Sequence, residues 1–169
     1  MREAAMNKTD PDRAIQLEIE VEAGVGEVWS AWTTNEGVTS FFAPSSNVDL
    51  RIGGAYEMLF DPGAEPGRRG GEGARILAFQ EGKMLSFTWN APPHMPEIRK
   101  QWTHVVIRLF DLGSGRTHVS LKHDGWGEGR QWDEAFDYFL RAWGEAVLPR
   151  LRHRFASGPV DWDNPPSVA

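Results

Sequence analysis

The chain has 169 residues, no cysteine and a formal net charge of −6. That length suits one domain able to bury a core without a covalent staple, and the absence of thiols excludes disulfides, zinc–thiolate centres and thiol nucleophiles. The charge disfavours nucleic acid and anionic membrane as partners. The polar start MREAAMNKTDPDR lacks the apolar segment of a signal peptide, and no run approaches ~20 apolar residues, so a cytoplasmic protein is expected. Eight tryptophans stand out, because each indole needs apolar surroundings and an acceptor for its N–H.

In chain order, residues 1–13 read as a polar tail, 14–156 as a single domain and 157–169 as a second tail. From Ile15 the chain alternates. Ile15, Leu17, Ile19 and Val21 take one face, and Gln16, Glu18, Glu20 and Glu22 the other, as in a strand with one wet face. Beyond Gly24 the period lengthens, and Val25, Val28, Trp29 and Trp32 line one side of a short helix. A second short helix carries Val38, Phe41 and Phe42 and ends at Pro44. The stretch NVDLRIGGAYEMLF, 47–60, reads as a hairpin. A three-residue turn over Gly53 to Ala55 pairs Ile52 with Tyr56, Leu50 with Met58 and Val48 with Phe60, keeping both apolar series on one face. This reading is preferred. A two-residue Gly-Gly turn would instead point Glu57 and Arg51 inward and make Glu57 an acid candidate.

The Gly/Pro-rich stretch DPGAEPGRRGGEG, 61–73, reads as a mobile loop with two solvated arginines. Strands follow at 74–80 and 84–89, the second with Leu85, Phe87 and Trp89 on its apolar face. Past the loop NAPPHMPEIRKQ, one strand puts Thr103, Val105, Ile107 and Leu109 on one face. The next does the same with Thr117, Val119, Leu121 and His123. A register pairing Leu109 with Thr117 sets Thr103 opposite His123. Strands joined in series by short glycine turns make an antiparallel sheet. The closing segment RQWDEAFDYFLRAWGEAVLPRLRHRF carries Trp132, Phe136, Phe139, Leu140, Trp143, Val147, Leu151 and Phe155 as a helical stripe. About 26 residues at ~1.5 Å each give a helix of ~39 Å, enough to cross a small sheet. Pro149 should kink it. Gly144 costs about 1 kcal/mol against Ala, offset if it lets the helix approach the sheet. The layout is α+β in two layers, a curved antiparallel sheet wrapped around a long C-terminal helix.

This order of elements resembles the helix-grip fold of the START/SRPBCC superfamily. VGEVWSAWT at 25–33, DLRIGGAYE at 49–57, LSFTW at 85–89 and THVSLKHDGW at 117–126 resemble, within it, the bacterial homologues of the activator of the heat-shock chaperone ATPase, the Hsp90 activator homologues. Relatives usually carry a proline before the first helix, where this chain has Gly24, and the insert at 63–73 is long. The resemblance implies a deep apolar cavity between sheet and final helix, with the two short helices at its mouth. It also implies that the chain binds an apolar small molecule, acts as a chaperone-associated module, or is an enzyme of cyclase type. A homodimer is compatible with it. Fold does not choose among these.

The residues narrow the choice. Tyr56, Met58, Phe87, Trp89, Trp132, Phe136 and Trp143 should converge between sheet and helix, with Phe41 and Phe42 at the mouth. Thr103, His123 and the Tyr56 hydroxyl add polar handles, which suits an apolar or aromatic ligand with one or two polar groups. His123 is the one acid–base candidate, the residue an enzyme of cyclase or hydrolase type would use, since it faces inward at a strand end. The competing expectation is an imidazole satisfied by a neighbouring hydroxyl or carbonyl. No nucleophile motif accompanies it. Asp124 follows it directly and so leaves the strand on the opposite face. Three or four convergent ligands are therefore missing, and neither metal nor cofactor is expected. His104 and His118 fall on the outer face, the latter across from Arg108. His94, His153 and the basic run at 150–155 read as surface. HDGWGEGRQW, 123–132, is read as the hinge from sheet to helix. Binding of an apolar or aromatic small molecule is the first expectation, and a chaperone partner the second.

Overall fold

Residue 10 and residues 12–166 are described by a computed structural model, and the following statements concern them. Strand β1 (Ile15–Val21) buries Ile15, Leu17 and Val21, half-buries Ile19 against the core and exposes Gln16, Glu18 and Glu20, as alternation requires. Helix α1 (Val25–Thr33) starts at Gly24, whose N–H donates to the Glu27 carboxylate at 3.2 Å. Glu27 thus supplies the cap that Gly24 lacks. Helix α2 (Asn35–Thr39) is capped by Thr34, whose hydroxyl accepts from Gly37 N at 2.9 Å. Phe41 and Phe42 lie just past its end, fully buried.

Strands β4 (Ile76–Gln80), β5 (Met84–Trp89), β6 (Thr103–Gly113) and β7 (Arg116–Asp124) complete the main sheet, in the order β1-β7-β6-β5-β4, all antiparallel. Strands β2 (Ser45–Val48) and β3 (Tyr56–Leu59) pair separately. Backbone bonds join them to the approach of β4: Tyr56 N to Ala74 O at 2.9 Å, Gly71 N to Met58 O at 2.7 Å and Ile76 N to Gly54 O at 2.8 Å. The curve of the sheet therefore continues into the hairpin.

Two registers differ from expectation. In the hairpin, Val48 faces Tyr56 and Ser46 faces Met58, a slip of four residues. Residues 49–55 form a loop, because the amides of Gly53 and Ile76 exchange bonds with the facing carbonyls and draw this backbone away from the hairpin. Leu50 and Ile52 leave the core, Ile52 being 73% exposed. An even slip preserves parity, so Glu57 still faces outward, accepting from Asn47 Nδ2 at 3.0 Å and Gly73 N at 2.8 Å. Arg51 lies in the exposed loop, paired with Asp49. In the second case Leu109 pairs with Val119, and Val105 rather than Thr103 faces His123, a slip of two residues; the ladder then shifts by one residue between Asp111 and Gly113, at the turn. His118 consequently lies across from Phe110, not Arg108, with Glu18 Oε1 at 3.7 Å.

The final helix runs without a break through α3 (Arg130–Arg141), a π-helical segment at Ala142–Val147 and α4 (Leu148–Ser157). Just upstream of Pro149 the turn is widened, and Leu148 N–H reaches the Trp143 carbonyl. Proline donates no hydrogen bond and crowds the carbonyl one turn back, and an i→i−5 turn just upstream makes room for it. The stripe is buried as expected at Trp132, Phe136, Phe139, Trp143, Val147 and Leu151. A Cβ added at Gly144 would meet Leu17 Cδ1 at 3.6 Å, an ordinary contact, so approach to the sheet does not require glycine there.

Arg13 on one side and the residues around 160 on the other pack onto this body. Arg13 is buried, donating to Asp133 Oδ1 at 2.6 Å and to Gly127 O at 3.2 Å, with its guanidinium over the Phe136 ring. Val160 is buried and its N–H bonds Ser40 O at 2.8 Å, while Trp162 Nε1 donates to Thr39 O at 2.7 Å. Among the described residues, no helix is long and apolar enough to cross a membrane.

Candidate functional site

Alternation along β3, β5, β6 and β7 sends every second side chain toward the final helix. The aromatic residues expected there do meet, ring against ring. Phe42 is the centre: it lies 5.7 Å from Trp32, 5.7 Å from Trp89 and 5.5 Å from Trp143 between ring centroids. Trp89 and Trp143 are 5.7 Å apart, Trp32 and Phe41 5.0 Å, and Tyr56 and Phe87 4.3 Å. The Tyr56 hydroxyl donates to the Trp32 carbonyl at 2.8 Å, and burial pushes its pKa well up. Met58 is fully buried on the same strand face. Trp132 and Phe136 belong to a neighbouring cluster around Trp126, at 6.4 and 5.3 Å. Side chains thus occupy the space in which the deep cavity was expected.

His123 is fully buried at the junction of the two clusters, 4.2 Å from the Trp126 ring and 5.2 Å from Phe139. The Trp143 indole N–H donates to its Nδ1 at 3.0 Å. Indole is only a donor, so Nδ1 carries the lone pair and Nε2 the proton. That proton faces Thr103 Oγ1 at 2.7 Å, reached diagonally from the shifted register, and the threonine hydroxyl donates in turn to Trp89 O at 3.0 Å. The chain Trp143 to His123 to Thr103 to Trp89 therefore joins the π-helical segment to three strands with every proton used. Burial, and to a smaller degree the nearby His104, hold the imidazole pKa well below its usual value. A neutral ring with both nitrogens engaged has no lone pair for a substrate.

Open volume lies at the end of the groove. A cleft of about 390 Å³ is bounded by residues 60–71, 90–94 and α3. Phe60, Trp89, Tyr138 and Phe139 supply its apolar surface, and Arg68, Arg69, Asp61 and His94 stand around it. A second cleft, about 500 Å³, shares Arg68, Asn90 and Pro93 with the first and adds Arg99, Lys100 and Trp102. Of the eleven residues expected to contact a ligand, Trp89 reaches the first cleft; Phe41, Phe42, Tyr56, Met58, Phe87, Thr103, His123, Trp132, Phe136 and Trp143 do not border either.

The loop at 61–73, expected to be mobile, is tied down. Arg99 donates to Gly67 O at 2.9 Å and Gly70 O at 2.8 Å, and also to Ala91 O. Glu72 accepts from the N–H groups of Gly67 and Arg69 and lies 3.7 Å from Arg99. Burial alone would raise the Glu72 pKa, but these N–H donors and the guanidinium together hold it below the usual value. Gly70 adopts φ +141°, and a Cβ there would lie 2.6 Å from Met58 O. Only glycine lets the loop lie so close to β3. Sequence reasoning missed Phe60, Tyr138 and Phe139 as cleft residues and left Arg68 and Arg69 in solvent. The available signal was a long Gly/Arg insert facing a second long loop at 90–101, two irregular segments that a sheet brings together. Among the described residues, no three His, Asp or Glu side chains converge to hold a metal ion.

The family described as activator of Hsp90 ATPase homolog 1-like protein matches residues 22–155. No curated protein matches the chain. A solved structure of a Mesorhizobium loti protein is similar at TM-score 0.66 and 18% identity, covering 83% of this chain and 95% of that one. The Aha1 dimer of Colwellia psychrerythraea gives 0.65 at 18%, covering 86% and 98%. An HSP90 activator of Plasmodium falciparum gives 0.63 at 14%, covering 86% and 96%. At these identities the structures speak for the fold, which is the helix grip. The sheet curled around one long helix, together with a family match spanning most of that fold, establishes that the chain belongs to the activator of Hsp90 ATPase homolog 1-like family.

Proposed function

We propose that the protein binds an apolar or aromatic small molecule, without catalysis, at the mouth of the helix grip. The observation that carries this reading is the cleft of about 390 Å³ floored by Phe60, Trp89 and Phe139. Ligand pockets span roughly 300–1,000 Å³ and pair apolar walls with a few polar groups. Phe60 is 45% exposed, although aromatic surface is normally covered where a chain can cover it. The expected ligand position thus moves from the interior, which aromatic rings occupy, to its rim. His123 is engaged in the hydrogen-bond chain and has no part in binding. The test is a titration with naphthalene-sized aromatic probes, followed by amide NMR shifts. Shifts at Gly70, Gly71 and Asn90 that weaken in Phe60→Ser support the proposal. Shifts confined to other surfaces, or none, end it.

A second reading is a chaperone-associated module. Phe110 is 50% and Leu112 41% exposed near the end of β6, beside the ion pair Arg116–Glu20 and the His118–Glu18 contact on the outer face. This reading predicts stimulation of a purified Hsp90 ATPase that Phe110→Ser abolishes. A flat ATPase rate across protein concentrations rejects it.

A further inference from the structure

We infer that the ligand carries an oxyanion, a carboxylate in its simplest form, which Arg68 and Arg69 bind while the apolar body covers Phe60, Trp89 and Phe139. The inference rests on the reading of the mouth as a small-molecule site and adds the chemical class of the ligand.

Charge distribution is the first argument. The whole chain is acidic, at −6, yet the two adjoining clefts bring together Arg68, Arg69, Arg99 and Lys100 against Asp61 and Glu72 alone. The second argument is which of these charges are already occupied. Arg99 is taken up by the carbonyls of Gly67, Gly70 and Ala91, and Glu72 by Arg99 and two backbone N–H groups. Arg69 uses Nε on Ala64 O at 2.9 Å, and its two terminal nitrogens make no hydrogen bond among the described residues. Arg68 makes no side-chain hydrogen bond or ion pair among them, although it borders both clefts. It also stands close enough to Arg99 for the two like charges to repel, a smaller influence on the Arg99 pKa than burial, which lowers it, and Glu72, which raises it.

Like charges held together by a well-bonded loop cost free energy unless an anion neutralises them. A guanidinium presents paired donors that match a carboxylate edge. The loop supplies what a chance surface arginine lacks, since its backbone is fixed by Arg99 and Glu72 and its terminal nitrogens are left for another partner.

The experiment is a calorimetric titration of the full chain with 2-naphthoate and with the neutral, nearly isosteric 2-naphthamide. The naphthoate should bind about tenfold more tightly, the scale of one charge-assisted pair near a surface. The advantage should shrink in about 1 M salt, where charges are screened beyond ~3 Å. It should fall in R68Q and vanish in the R68Q/R69Q double variant, with naphthamide affinity unchanged in both. Equal affinity of the unmodified protein for the two probes overturns the anion and leaves the small-molecule reading standing. Binding of neither probe overturns both. A double variant that keeps the full advantage shows that other groups hold the anion and overturns the assignment to Arg68 and Arg69.

Discussion

At the His123 end of the groove, each ring rests on another ring and the protons around the imidazole have acceptors inside the fold: Trp143 N–H on His123, His123 N–H on Thr103, the threonine hydroxyl on Trp89 O; the buried Trp32 N–H of the adjoining rings makes no hydrogen bond among the described residues. At the Arg68 end the same residue types, Phe60 and Tyr138, keep a side open, and guanidinium groups sit beside them with donors unspent. Trp89 is the wall between the two, packed on Trp143 and Phe42 on one side and bordering the cleft on the other. Aromatic content therefore does not distinguish a core from a site. Open volume and unspent charge do, and both depend on how distant segments fit.

The contrast is broken most forcefully at Trp143. Trp143→Phe removes the indole donor and part of the ring volume, leaving a buried acceptor on His123. It should cost about 2–4 kcal/mol in urea denaturation, while a probe bound at the mouth keeps its site. A loss under about 0.5 kcal/mol would show that the hydrogen-bond chain contributes little.

The same cluster should make stability depend on pH. The folded imidazole binds a proton only well below the usual value, whereas the unfolded chain binds it near pH ~6.5. Below that point the unfolded state holds more protons, so stability falls as acid is added. The slope approaches ~1.4 kcal/mol per pH unit until the folded value is reached. Above pH ~7 this contribution is fully present and flat. Denaturation from pH 5 to 8 should show the acid limb in the unmodified protein and a flatter one in His123→Phe, which is less stable throughout. Parallel curves would assign the acid limb to the carboxylates.

Arg99 tests the other end. Arg99→Ala removes the donors that bind Gly67, Gly70 and Ala91, and amide exchange across 67–73 should accelerate by roughly tenfold or more. The global cost should be only about 1–2 kcal/mol. Arg99→Lys should not restore protection, because one ammonium cannot span three carbonyls. Equal acceleration in the strands of the core would show that the loop and the core open together.

The smallest effect concerns Gly144. Its added methyl meets only an ordinary contact with Leu17, so Gly144→Ala should change stability by less than about 1 kcal/mol, toward gain, in thermal unfolding. A clear loss would mean that the π-helical segment needs the freedom of glycine.

Much of the helix grip was legible in the chain because its signals are local. The switch of period at Gly24, the alternation in β5 to β7 and the stripe from Trp132 to Leu151 each depend on residues a few positions apart, and all are present in the fold. His123 was legible as inward-facing for the same reason. The candidate site was much less so. Parity survives an even slip, so Glu57 and His123 kept their faces while their partners changed from those expected. The cleft involves segments near 60, 68, 92 and 138, and no short window of sequence contains their juxtaposition.

Along β1, β5 to β7 and the final helix, though not at Leu50 and Ile52, the chain alone determined which side chains turn inward, because a strand alternates and a helix repeats whatever lies around it. The tertiary structure alone decided that Phe42, Trp89 and Trp143 fill the groove and that the mouth stays open. Filling depends on the volumes of residues from separate strands and from the helix meeting in one place. Openness depends on Arg99 and Glu72 holding a glycine-rich loop away from solvent disorder and against β3. Those are long-range matters of fit, and pattern along the chain carries no measure of them.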